Sequence, residues 1–259
     1  MSTTIILSYA LIIVGIIPWA LLIPGRRHVS PRFMNAINIF GGAFLFASCF
    51  INLVPHMFLT DDPYRFVTPN LHFKIAAAVM VGFLIQLLLE RLTHGAEHGH
   101  DHVHEDDHPA KKGGQHAILA LLIGLCIHAF LEGMPMVDPD GDIHQGLLYG
   151  IVLHNIPIAL VLVALFLSHN YGFWRSLLLL AIFAVMTPLG SLCNLYLIPE
   201  NEMLQSLIMG VVVGILLHVS VSILFDHHNT FTWGKLLLIL LAFVAAYYTP
   251  GCPEIYGAL

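Results

Sequence analysis

Residues 203–225 read MLQSLIMGVVVGILLHVSVSILF, a run without a single Asp, Glu, Lys or Arg. A helix rises about 1.5 Å per residue, so a run of this length outreaches a hydrocarbon core about 30 Å thick. The pattern recurs along the chain. Further apolar runs cover 3–24, 36–58, 71–92, 116–136, 146–168, 176–197 and 231–249. The last is the weakest, because its clean apolar stretch starts only at Leu236. Breakers separate the runs, as at Pro24-Gly25, Asp62-Pro63 and Asp138-Pro139-Asp140-Gly141. The bulk composition agrees: 259 residues, 58% apolar, 10% charged, mean hydropathy +0.82. An ordinary soluble domain carries about 25% charged residues. This chain cannot build a wet surface, and it is no disordered, collagenous or disulfide-stapled chain. The expected fold class is an all-α membrane protein with eight transmembrane helices. It forms one transmembrane domain over 1–259.

Met1 to Leu22 has no basic flank and is long for the apolar part of a signal peptide, so it reads as the first span. The four cysteines (Cys49, Cys126, Cys193, Cys252) form no CxxC pair, and three lie in apolar runs as small buried thiols. The net charge of −6 argues against nucleic acid, which needs a basic patch. The cations orient the bundle. Arg26, Arg27, Arg32, Arg91, Lys111, Lys112, Arg175 and Lys235 lie in or beside odd-numbered connections; only Arg65 and Lys74 lie on the other side. The odd loops are therefore expected in the cytoplasm and both termini outside it. The opposite face carries Asp61, Asp62, Asp138, Asp140, Asp142, Glu200 and Glu202.

Histidine is the second anomaly: 17 His against 10 Lys plus Arg. Residues 94–116 read HGAEHGHDHVHEDDHPAKKGGQH and hold His94, His98, His100, His102, His104, His108 and His116. The segment has no apolar periodicity, so it reads as a flexible cytoplasmic loop between the third and fourth helices. Imidazole suits Zn, Cu, Ni and Fe, and carboxylates widen the choice. Such a tract can hold transition metal in exchanging arrangements; the alternative is a pH-sensitive linker.

Ionisable groups at membrane depth are costly and usually functional. Glu132 is the one acid well inside an expected span, within CIHAFLEGMP. His128 stands one turn before it, on the same face. The next run contains VLHNIPIAL, with His154 and Asn155. His128 and His154 each lie about 12 Å below the same boundary, at about 1.5 Å per residue. Two antiparallel helices joined by a short loop are expected to be neighbours, so two imidazoles and a carboxylate converge at one level. That is a donor set for a borderline divalent cation. Pro157 and Pro135 are expected to free the carbonyls of Leu153 and Leu131 as spare oxygen donors. Asn52 and His56 can line an entrance. His218, His227 and His228 can meet the ion on its way out, although packing explains His218 equally well. Gln86, Asn194 and Thr187 read as interhelical hydrogen-bonders.

These residues resemble the ZIP (Zrt/Irt-like) metal transporters over nearly the whole chain. HAFLEG at 128–133 is similar to the family's HSxxEG or HNxPEG pattern, and HNIPIA at 154–159 to its helix 5 pattern. FGGAFLFASCFINLVPH at 40–56 and TPLG at 187–190 resemble helices 2 and 6. The resemblance implies a ZIP-like eight-helix bundle with both ends extracytoplasmic. It implies metal ligation by His128, Glu132 and His154, with Asn155 contributing. Ile158 stands where many members have a second acid, and Ala129 where some have Asn. That pattern implies one metal rather than two. The resemblance also implies motion of helices 1, 4, 5 and 6 against 2, 3, 7 and 8.

The function expected is zinc uptake toward the cytoplasm, with Fe2+, Mn2+ or Cd2+ as other substrates, and no organic cofactor. Binding should weaken below the ordinary imidazole pKa of about 6.5, because ligands must be deprotonated. The expected partners are the ion and the lipid bilayer, with a homodimer as an option and no nucleic acid. The expected location is the plasma (inner) membrane. Three readings compete: a metal exporter of another family, an intramembrane metal-dependent hydrolase, and a metal sensor. The first lacks the His/Asp pairs such exporters use, the second lacks HExxH, and the third would show no flux.

Overall fold

Prolines and small polar residues decide where the apolar runs start, bend and stop. The computed structural model describes residues 3–21, 30–58, 70–92, 114–138, 141–198, 201–225 and 232–249. Helix α1 (Thr3–Ile16) tightens into a 3-10 turn (Ile17–Leu21) around Pro18, where Trp19 Nε1 donates to the Gly15 carbonyl at 2.9 Å. Helix α2 (Pro31–Ser48) opens with Pro31 in its first turn, and the Ser30 hydroxyl accepts from the Phe33 amide at 3.2 Å. Near its end, Pro55 has no amide proton to give the ladder. The chain passes through a π-helical turn (Cys49–Leu53) into a last stretch, Val54–Phe58, and the Val54 amide donates to the Cys49 carbonyl.

Helix α3 (Leu71–Leu92) and helix α4 (Gly114–Gly133) follow, and α4 ends in a 3-10 turn (Met134–Met136). A pinned hairpin leads on. Val137 bridges Ile143, the Asp138 amide donates to the Asp142 carbonyl at 2.9 Å, and Gly141 takes a φ of 89° that suits glycine. The His144 imidazole lies 3.0 Å from the Asp138 carboxylate across this hairpin. Helix α5 (Gln145–Ser168) contains Pro157, and helix α6 (Phe173–Leu197) contains Pro188. Asn201 caps helix α7 (Glu202–Leu224) and Thr232 caps helix α8 (Trp233–Tyr248). Lys235 Nζ donates to the Leu224 carbonyl at 2.7 Å, placing a cation at the C-terminal end of α7.

Six of these helices are long and apolar enough to cross a membrane. The first and last, Thr3–Trp19 and Trp233–Tyr248, are apolar but shorter. Among the described residues the count of eight apolar helices agrees with the sequence, and α8 is short where its apolar stretch was weakest. Large apolar side chains face outward, among them Phe73, Met80, Leu84 and Leu88 of α3 and Leu240, Val244 and Tyr247 of α8. Lipid can cover such surface; water cannot do so cheaply.

The helices form two packing groups. In one, α3 packs along α7, and α2 packs on α7 and α8. In the other, α4 packs along α6, and α1 packs on α5 and α6. Each group holds a reciprocal pair of glycines at its tightest crossing. A Cβ on Gly82 would overlap the Val211 carbonyl, and one on Gly214 the Val79 carbonyl. A Cβ on Gly133 would overlap the Thr187 carbonyl, and one on Gly190 the Phe130 carbonyl. Small residues allow such approach, which is how helices gain contact area where lipid removes the hydrophobic driving force. Helix α5 joins the groups by packing on α2.

As expected, α4 and α5 meet: Asn155 reaches Glu132 and the His154 ring lies beside the His128 ring. Their backbones pack more extensively on other helices, α4 on α6 and α5 on α1 and α2. Pro135 differs from expectation: it lies in the 3-10 turn that ends α4, where carbonyls lack helical partners in any case. Pro157 does lie inside its helix.

Candidate metal site

Polar side chains of α4 and α5 meet in apolar surroundings. His128 and Glu132 stand one turn apart on α4, with Nε2 of the imidazole 3.3 Å from one carboxylate oxygen. Asn155 of α5 reaches across and donates its amide to the other carboxylate oxygen at 3.2 Å. The His154 ring lies beside the His128 ring, with centroids 5.7 Å apart and planes inclined by 76°. His128, Glu132, His154 and Asn155 are all buried. One donor atom from each of His128, Glu132 and His154 can be chosen so that all lie within 4.8 Å of one another. Two donors of a tetrahedral ion at about 2.1 Å stand about 3.4 Å apart. The most widely spaced pair therefore needs to close by up to about 1.4 Å to bind one ion. Among the described residues this is the single group of three His, Cys, Asp or Glu side chains so placed.

A buried carboxylate is expensive unless it is paired. Here its Oε1 takes the Asn155 amide, while its Oε2 faces His128 Nε2 at 3.3 Å and a position where a dication would sit. Asn155 supports Glu132 directly, while its Oδ1, which has no hydrogen-bond partner among the described residues, remains an oxygen donor.

The other residues singled out in the sequence fall elsewhere. Asn52 lies in the π-turn of α2 against Gly146 of α5, two turns from His154, or about 12 Å along the helix. Ser48 Oγ, Asn52 Nδ2 and Thr187 Oγ1 are buried without hydrogen-bond partners among the described residues. His56 lies in the last stretch of α2. His218 is apart from the site: its Nε2 lies 2.7 Å from Glu90 of α3, and its ring meets the Phe83 ring edge-on at 4.6 Å. His227 and His228 lie outside the described residues, as do His94, His98, His100, His102, His104 and His108. His116 belongs to the first turn of α4, which begins at Gly114 and shortens the expected loop.

Two of the expected interhelical hydrogen bonds are present. Asn194 Nδ2 donates to Gln205 Oε1 at 3.0 Å, and Gln86 Oε1 lies 2.9 Å from His128 Nδ1. The sequence reading missed that Gln86 bonds a member of the site, and it missed Glu90. Both lie on α3 one turn apart, which was the available signal.

Apolar helices of spanning length around a buried acid–imidazole set define an integral membrane protein with a place for a divalent cation. Residues 93–247 match the family model described as ZIP Zinc transporter. That stretch is more than half of the chain, and the chain belongs to the ZIP zinc transporter family. Membership makes it a transporter of divalent metal, with zinc or a related ion as substrate, and not an enzyme. The readings as an exporter of another family and as a hydrolase fall with it. No curated protein matches the chain. A homodimer has no support in the fold or in the family match.

Proposed function

We propose that the protein takes up zinc toward the cytoplasm, binding it during passage at His128, Glu132 and His154. The burial and mutual reach of these three donors carry this reading. A hydrated dication enters such a site only if protein donors replace its water. Two imidazoles, one carboxylate and the Asn155 oxygen make a four-donor shell of the kind zinc accepts. Iron, manganese and cadmium compete for the same donors. Ile158 and Ala129 add no further donor, so one ion binds at a time.

In this reading both termini face outward in the plasma or inner membrane. The ion arrives past Asn52 and His56 and leaves past His218, His227 and His228 toward the His-rich segment. The segment itself buffers the released metal.

The test is uptake of radioactive zinc into cells or vesicles of fixed orientation. Glu132→Ala and His128→Ala should fall to background at equal membrane abundance. Uptake at the parent rate by either variant would remove the residue from the site. Efflux without uptake in oriented vesicles would reverse the direction.

A further inference from the structure

Gln86 is buried in an apolar helix, and its placement is specific. It sits on α3, in the packing group that does not carry the metal donors, yet its Oε1 reaches His128 Nδ1 at 2.9 Å. An amide oxygen can only accept, so Nδ1 must carry the proton and donate to it. In a neutral imidazole the proton then leaves Nε2 as a lone pair. Nε2 is the atom that lies 3.3 Å from Glu132. The lone pair thus points where a cation bound by Glu132 would sit.

We propose that Gln86 is the positioning residue of the metal site: it fixes the tautomer and ring orientation of His128, so that Nε2 is presented to the ion. Metal-ligating imidazoles generally need such a partner on the second nitrogen, and losing it costs about 10–100-fold in affinity. The partner here is neutral. A carboxylate in its place would make the imidazole more basic and add a second negative charge near the ion. The amide orients the ligand without that added attraction, which suits a site that must also release its cargo. The inference rests on the reading of His128 as a metal ligand.

Two measurements test it. The first needs no metal. In full-length protein with 15N-labelled histidine, the His128 signals, assigned by their loss in His128→Asn, should show a protonated Nδ1 and a bare Nε2. Gln86→Met should release that preference. The second is zinc affinity of the purified protein by titration calorimetry. Gln86→Met should weaken binding at least tenfold, whereas Gln86→Glu, which keeps an acceptor, should hold or tighten it and slow zinc release. A bare Nδ1 in the parent overturns the proposal. So does zinc binding by Gln86→Met within threefold of the parent, or equal weakening by Met and Glu, which would mark Gln86 as a packing residue. If His128→Asn binds zinc as the parent does, the site reading fails instead, and the tautomer result still judges Gln86.

Discussion

Glu132→Gln removes the charge from the site and keeps its shape. The side chain is fully buried, has His128 Nε2 at 3.3 Å and takes a hydrogen bond from Asn155 at 3.2 Å. Taking one partner from a buried charged set costs about 3–5 kcal/mol. At about 1.4 kcal/mol per tenfold, zinc Kd should rise by roughly two to three and a half powers of ten. The metal-free protein should not suffer. Without the ion the carboxylate is a buried charge that takes a hydrogen bond from the Asn155 amide, and a neutral amide is cheaper to bury there. Its Tm in detergent should therefore hold or rise. Ligand stabilisation works in the opposite direction. Zinc at 100 times the parent Kd stabilises the parent by about 2.7 kcal/mol and should leave the variant nearly unshifted. Calorimetry gives the affinity and a thermal melt gives the rest. Affinity within threefold of the parent, with native Tm, would refute the argument. So would an affinity loss accompanied by a collapse in metal-free Tm, since that would be a folding defect.

Other outcomes follow from the packing. Gly190→Val must push α6 away from the Phe130 carbonyl, so a loss of about 1–3 kcal/mol is expected, read as a lower Tm. Removing Glu90 or His218 alone breaks their 2.7 Å contact and leaves one of the two polar groups behind, whereas the Glu90→Leu/His218→Leu double variant removes both. A double-mutant cycle on Tm should show positive coupling, and additive losses would mean the pair contributes nothing. Lys235→Met loses the charge-assisted bond to the Leu224 carbonyl and should cost about 1.5–3 kcal/mol, read as destabilisation of the last two helices in hydrogen exchange. Deleting residues 94–108 should leave high-affinity zinc binding unchanged in calorimetry, because all three donors stand on α4 and α5, and remove weaker binding events.

The sequence determined what local composition can determine. Spanning runs need only length and the absence of charge, so all eight apolar helices were legible, including the short last one. The trio His128, Glu132 and His154 was legible too, because burying ionisable groups in such helices is costly and narrows the reasons for their presence. Asn194 and Gln86 were recognisable as hydrogen-bonders for the same reason, although not their partners.

What the helices touch was decided by tertiary structure. Loop length suggested that α4 and α5 are adjacent, and their side chains do meet, but the glycines at 133 and 190 seat the backbone of α4 on α6, and α5 seats on α1 and α2. That seating sets which side chains of the two helices come together. Likewise, nothing in the spacing of α3 says that Gln86 meets His128 or that Glu90 meets His218. Those contacts join residues 42 and 128 positions apart, and only the crossing of packed helices brings them within hydrogen-bond reach. Periodicity tells a helix which residues share a face; close approach between carbonyl and glycine on another helix decides what that face meets.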